Sequence, residues 1–317
     1  MFSITPFLVL YMMPNEQIGY GKAFLILALV VGVGIGAGTL YGVTTLLAPS
    51  QDQNTFSTTL DIKGSDTLLE LARAWSENYT TQNPGVTITV AGGGSGTGIA
   101  ALINGQIDIA TASRPAKASE IADAAAVGVT LVQHTVVIDG IAIITNPAIP
   151  ISNITFELLR GIYNGTITDW SQVNSTYSGL IKPYGRQSTS GTYAYFQEHV
   201  MKNDDYASSV QQLAGNSDII YAVAHDSKGI GYVGAAYAEA ATGIHLVAVN
   251  DPANPDSFYL PTIDNIRTFT YPIARYLYLY TNGQPTGYIQ AFITWCQSPQ
   301  GQAVALAKGY VPAFALP

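Results

Sequence analysis

The chain has 317 residues, a formal net charge of −8, 48% hydrophobic residues and only 11% charged ones. The hydrophobic content is enough for two lobes and excludes a disordered chain, while an acidic balance without any basic cluster excludes nucleic acid as a partner, because nothing can displace phosphate counterions. The polar positions are filled by Ser, Thr, Asn, Gln and 20 tyrosines, so an anionic ligand has to be held locally, against the global field. Residues 1–22 read as a leader or cytoplasmic segment, in which the apolar run 7–13 is too short to span a bilayer and Met12 or Met13 offers an alternative start. Residues 23–48 carry no charge, and as a helix they measure about 39 Å, enough to cross a bilayer with tilt. A transmembrane helix is expected there. Lys22 flanks its amino end and the next basic residue is Lys63, which predicts a single-pass cell-membrane protein with its C-terminal bulk outside the cytoplasm. Gly32, Gly34, Gly36, Gly38 and Gly42 permit self-association of this helix, although membrane helices also simply tolerate glycine. Gly21-Lys22-Ala23-Phe24 resembles an archaeal prepilin-like processing junction, with an uncleaved signal anchor as the ordinary alternative. Residues 49–59 form a polar linker. Asn78, Asn153, Asn164 and Asn174 each begin a glycosylation sequon, in keeping with an exported face.

Beyond the linker, strand and helix patterns alternate. Strand 60–62 ends in Lys-Gly-Ser65-Asp-Thr67, and a helix over 66–82 follows with Leu68, Leu69, Leu71, Ala72 and Trp75 on one face. Strand 86–90 runs into Gly92-Gly-Gly-Ser95-Gly-Thr-Gly98 and a helix over 97–104. Those glycines let backbone amides approach a ligand and leave the Ser95 hydroxyl among them. Strand 107–110 ends at Thr111-Ala-Ser-Arg114-Pro, before an Ala-rich helix over 118–127. This alternation predicts an α/β lobe. The extended segment 130–144 is long enough to leave that lobe for a second one, which holds helices over 154–163 and 193–201. Strand 230–233 is placed to return to the first lobe, and a final helix over 287–307 stops at Gly309. The expected division is lobe I at 60–138 and 235–317, and lobe II at 139–234.

The densest chemistry lies in residues 182–196. An extended segment breaks at Gly185 and feeds Arg186-Gln-Ser-Thr-Ser190-Gly191-Thr192 into a helix beginning near Thr192. Free N–H groups at a helix start favour an anion, the Ser190 and Thr192 hydroxyls can donate beside them, and Arg186 offers a planar fork suited to phosphate oxygens. An ordinary Ser/Thr cap beside an exposed Arg remains the plain alternative. The strand-to-helix junctions after residues 62 and 90 repeat this design, which makes coincidence harder to sustain. Gly229-Ile-Gly231-Tyr-Val-Gly234 fits a dinucleotide pattern, but it lies inside a strand-like run without the required context. Ser190 and Ser95 lack a positioned base, so nucleophilic catalysis has little support. The four histidines show no metal-ligand spacing, and Cys296, the single cysteine, sits in an apolar helix pattern as a buried, inert thiol. No metal or cofactor is expected.

Residues 60–311 carry, in order, Lys-Gly-Ser-Asp-Thr at 63–67, the Gly-Ser-Gly-Thr-Gly run at 92–98, Asp-Ile-Ala-Thr-Ala-Ser-Arg-Pro at 108–115, Ile-Asp-Gly-Ile-Ala at 138–142, Gly-Arg-Gln-Ser-Thr-Ser-Gly-Thr at 185–192, Gly-Ile-Gly-Tyr-Val at 229–233 and Tyr-Leu-Tyr-Leu-Tyr-Thr-Asn-Gly at 276–283. This series resembles the PstS-like phosphate-binding proteins of ABC transporters, of the type 2 periplasmic-binding-protein fold. The resemblance implies two α/β lobes joined by crossover strands, with inorganic phosphate closed between them and passed to a transporter permease. Matched by motif, Ser65, Thr67 and Ser95 donate from the first lobe. Arg114 lies in the Ser-Arg motif of one branch, in which Asp139 accepts the phosphate proton, and Arg186, Ser190, Gly191 and Thr192 form the opposite wall. Many relatives have an acidic residue soon after the arginine, where this chain has Gln187 and Ser188, so Arg186 is expected to have one fewer counter-ion. The alternatives are a receptor for tungstate, molybdate or sulfate, a surface-assembly subunit and, last, a phosphoester-processing enzyme.

Overall fold

The structure is a computed structural model that describes residues 58–316. The expected leader at 1–22, the membrane helix at 23–48 and the linker up to residue 57 lie outside the described residues. Among the described residues no helix is long and apolar enough to cross a membrane. The chain begins with β1 (Thr58–Gly64), α1 (Leu69–Gln82), β2 (Val86–Ala91), α2 (Ser95–Ile103), β3 (Ile109–Ala112) and α3 (Ala118–Ala126). A 15-residue strand, β4 (Leu131–Thr145), leads to β5 (Asn153–Ile154), α4 (Phe156–Asn164), β6 (Lys182–Arg186), α5 (Gly191–His199), β7 (Gln211–Leu213), α6 (Asn216–His225) and β8 (Gly229–Gly234). Then come α7 (Ala235–Glu239), β9 (His245–Asp251), β10 (Asn254–Tyr259), α8 (Ile263–Arg267), β11 (Ala274–Asn282), α9 (Gly287–Gln297), α10 (Pro299–Ala307) and β12 (Val311–Pro312).

The strands order as β2-β1-β3-β11-β4-β8-β6-β7. In the first half β1 runs parallel to β2 and β3, and β11 runs antiparallel to β3 and β4. In the second half β6 runs parallel to β7 and β8. One strand serves both halves: residues 131–140 of β4 pair with β11, and residues 141–145 pair with β8. Gly140 sits at that change of partner, where a Cβ would meet Ile266 Cδ1 at 2.8 Å. Its hydrogen atom is what allows the close approach. The Tyr271 hydroxyl fastens the same point by donating to the Ile141 carbonyl at 2.7 Å. The result is the expected two-lobed α/β periplasmic-binding-protein fold, with one core around Leu60, Ile62, Leu71, Trp75, Phe292 and Cys296 and another around Ile141, Ile143, Phe196, Tyr232 and Val249.

Three details differ from the sequence reading. First, β8 does not return to the first half; it lies between β4 and β6, because it is buried on both faces, with Ile230 and Tyr232 on one and Val233 on the other packing into the second core. Second, β9 pairs with the second stretch of β4 and with β5, and Ile266, Tyr271 and Ile273 pack in the second core, so residues 245–273 join the half that was expected to end at 234. Third, the final helix breaks into α9 and α10 at Ser298. Pro299 has no N–H to continue the ladder, and the Ser298 hydroxyl caps the new helix by accepting from Gly301 N–H at 3.3 Å.

Candidate functional site

The motifs at 63–67, 92–98, 108–115 and 185–192 lie at the carboxyl ends of strands, where ligand crevices of α/β sheets form, whereas Asp139 lies within β4. Ser65 follows β1, the glycine run follows β2, Ser113 and Arg114 follow β3, and Arg186 ends β6. The helices after them start at these points, so the hydroxyls of Ser65, Thr67, Ser95, Ser190 and Thr192 converge, each on a residue no more than 2% exposed. The halves touch directly here. Thr67 Oγ1 is 2.8 Å from Thr192 Oγ1, and Gly96 N–H donates to the Thr189 carbonyl at 3.1 Å. Gly94 has φ +94°, and a Cβ on it would meet the Thr189 oxygen at 2.5 Å, so only glycine fits between the walls.

On the second-half wall, Ser190 caps α5 by accepting from Thr192 N–H at 3.1 Å and Tyr193 N–H at 3.4 Å, which leaves its own proton free to donate. Gly191 packs against Ser95 and Ser113 with no room for a side chain. Arg186 is wholly buried. Its guanidinium donates to Asn216 Oδ1 at 3.1 Å, to the Ala214 carbonyl at 2.9 Å and to Asp66 Oδ2 at 2.8 Å. Burial pulls the Arg186 pKa down and Asp66 pulls it back up. The expected shortage of a counter-ion is therefore corrected: Asp66 of the opposite half supplies the carboxylate absent at Gln187 and Ser188. Asp66 Oδ1 meanwhile accepts from Gly93 N–H at 2.8 Å, tying the first and second junctions to Arg186.

On the first-half wall, Ser95 Oγ accepts from Ser113 N–H at 3.0 Å. Arg114 reaches the edge of this region, but its fork is spent on Glu120 in a two-pronged pair at 2.7 and 2.7 Å, with the Pro115 carbonyl as a further acceptor. Asp139 is buried and faces Arg275, whose Nη2 lies 3.1 Å from Oδ2. Burial pushes the Asp139 carboxyl up, while Arg275 and the N–H groups of Ala235 and Gly140 pull it down. Ser65 Oγ, Arg114 Nε, Arg186 Nε and Asn216 Nδ2 are buried polar atoms with no hydrogen-bond partner among the described residues. Orphaned donors of this kind are costly unless an acceptor completes them, and a cluster of donors suits an oxyanion.

Three participants escaped the sequence reading. Asp66 lies inside the Lys-Gly-Ser-Asp-Thr motif, where the sequence signal is carried by its hydroxyl neighbours Ser65 and Thr67. Asn216 carried no local signal. Arg275 did carry one, as a lone cation opening the apolar strand Ala-Arg-Tyr-Leu-Tyr-Leu, since a charge in such a strand needs a buried partner.

A family model described as a PBP superfamily domain matches residues 49–300. The phosphate-binding protein PstS of Pseudomonas aeruginosa is 29% identical over 299 residues, covering 89% of this chain and 92% of that one. PstS of Staphylococcus saprophyticus is 30% identical over 222 residues, covering 69% and 68%. Among solved structures, a phosphate ABC transporter substrate-binding protein from Clostridium perfringens with bound phosphate superposes with a TM-score of 0.71 at 25% identity, over 81% of this chain and 100% of that one. With the fold, the motif order and these likenesses together, the chain belongs to the PBP superfamily, in its PstS-like family of phosphate-binding proteins.

Proposed function

We propose that this chain captures inorganic phosphate between its two halves and delivers it to an ABC transporter permease, acting as a binding protein and not as an enzyme. The observation that carries this reading is the convergence of buried hydroxyls, helix starts and the Arg186 guanidinium, with Ser65 Oγ and Arg186 Nε left without partners among the described residues. The phosphate-binding relatives support the choice of ligand. In this reading Ser65, Thr67, Ser95, Arg186, Ser190, Gly191 and Thr192 surround the anion, and Arg114 and Asp139 adjust its electrostatics from behind. Residues 23–48 hold the protein at the membrane as a single pass with the binding domain outside, and the glycines of that segment offer a self-association face.

Calorimetric titration of the detergent-solubilised chain with phosphate, sulfate and tungstate tests the reading. Phosphate is expected to bind most tightly. Sulfate or tungstate binding more tightly than phosphate would replace it with the other oxyanion reading, and failure of all three would remove the site. Alkaline extraction of membranes tests the anchor, which predicts that the full chain stays with the lipid.

A further inference from the structure

Arg275 stands between Asp139 and the wall that carries Thr192. It is the second residue of β11, opposite Asp139 in the strand register, and its side chain is 2% exposed. Its Nη2 donates to Asp139 Oδ2 at 3.1 Å and to Thr192 Oγ1 at 2.8 Å, its Nε lies 3.4 Å from Asp139 Oδ2, and its Nη1 donates to the Ser113 carbonyl at 2.9 Å. Both contacts from Arg275 to Asp139 fall on the same carboxylate oxygen, Oδ2. A buried carboxylate with a guanidinium at this distance is held as its counter-ion.

The hydroxyls follow from the same contacts. A guanidinium has donors and no acceptor, so the Thr192 oxygen accepts from Arg275 and its own proton points elsewhere. Thr67 Oγ1, 2.8 Å away, is the neighbour that can receive it. A hydroxyl that accepts in this way gives its own proton onward, so the chain from Arg275 through Thr192 to Thr67 ends in a donor. An oxyanion can take that donor; a ligand group that must donate finds no acceptor there.

We infer that Arg275 is a positioning residue of the oxyanion site, which fixes the Thr192 and Thr67 hydroxyls as donors and holds Asp139 as its own counter-ion instead of leaving it to accept the ligand's proton. The inference rests on the phosphate reading above. Other groups near the pair do not compete for this role. The Tyr195 ring stacks 5.3 Å from the Arg275 guanidinium, and Tyr195, Tyr271 and Tyr310, which face Asp139, are kept neutral by burial. Arg186 is the other nearby charge, and it is matched by Asp66.

The test titrates the full chain in detergent with inorganic phosphate from about pH 5 to about pH 8, comparing the parent with Arg275→Gln, Arg275→Lys and the double variant Arg275→Gln/Asp139→Asn. The parent arm comes first, since failure to bind phosphate there sinks the ligand reading whatever Arg275 does. With parent binding in hand, Arg275→Gln is expected to bind about 10- to 100-fold more weakly at neutral pH. Its deficit relative to the parent shrinks on acidification, because an unpaired buried Asp139 takes up a proton and stops repelling the anion. The double variant shows a deficit that pH does not change, and Arg275→Lys recovers part of the affinity together with the parent's pH profile. A deficit in Arg275→Gln that is the same at every pH would overturn the inference, as would affinity within about threefold of the parent throughout. Should Arg275→Gln fail to fold by circular dichroism, the double variant decides, as it buries no unpaired charge. Parent-like affinity in it overturns the inference, and at least a tenfold loss supports it.

Discussion

Gly191→Ala separates binding from stability more cleanly than any change of charge. Gly191 is the first residue of α5, and its φ is not in the left-handed region, so alanine suits its backbone. In an exposed helix the exchange would gain about 0.5–1 kcal/mol. Here the new Cβ would point at the opposite wall, 2.6 Å from Ser113 Oγ and closer still to Ser95 Oγ. Ordinary contact begins near 3.4 Å, so the nearer of the two, Ser95 Oγ, leaves the methyl short of room by roughly 1 Å, among side chains that are already buried and bonded to each other. The halves must part by roughly that amount or Ser95 must turn away. Either response removes one hydrogen bond to a charged ligand, worth about 1.5–3 kcal/mol, or about 10- to 150-fold in phosphate affinity. Calorimetry gives the affinity, and a thermal melt without ligand reports whether the fold is intact. Unchanged phosphate affinity with an unchanged melt would refute the argument, since it would mean that the walls do not need to meet at Gly191.

The other predictions concern the supports of the site. Ser190→Ala removes the cap of α5, and denaturant unfolding is expected to show about 1 kcal/mol less stability in the absence of ligand; no change would mean that the helix start is held by other groups. Asp66→Asn keeps an oxygen for Gly93 N–H but sets an amide against the buried Arg186 fork. Its denaturant midpoint is expected to fall by the equivalent of about 3 kcal/mol, and parent-like stability would show that Asn216 and the Ala214 carbonyl suffice for that cation. Away from the site, hydrogen bonds from Arg160 and Asn164 hold the Asp204 carboxyl down to about 2, from an ordinary 3.8. A depressed carboxylate contributes stability above the ordinary value and loses it as pH falls through the lower one. The melting-point advantage of the parent over Asp204→Asn should therefore narrow between those two pH values, and a constant gap would count against the Arg160 clamp.

Sequence alone carried the parts of this protein that are written locally. The strand-to-helix junctions at Ser65, Ser95 and Ser190 were legible because a glycine or hydroxyl at a helix start answers to the few residues around it. The burial of Cys296 and Trp75 followed from apolar spacing within one helix. What the tertiary structure decided are pairings between distant residues. Arg275 and Asp139 are 136 positions apart and Arg186 and Asp66 are 120 apart, and neither separation leaves any trace in a local pattern. The first pair exists because β4 and β11 align antiparallel with Asp139 opposite Arg275; a shift of one residue would turn the two side chains to opposite faces. The second exists because the two halves meet at the carboxyl ends of their strands. Motif position points to Asp139 by itself, but the cation that this buried carboxylate pairs with depends on strand register.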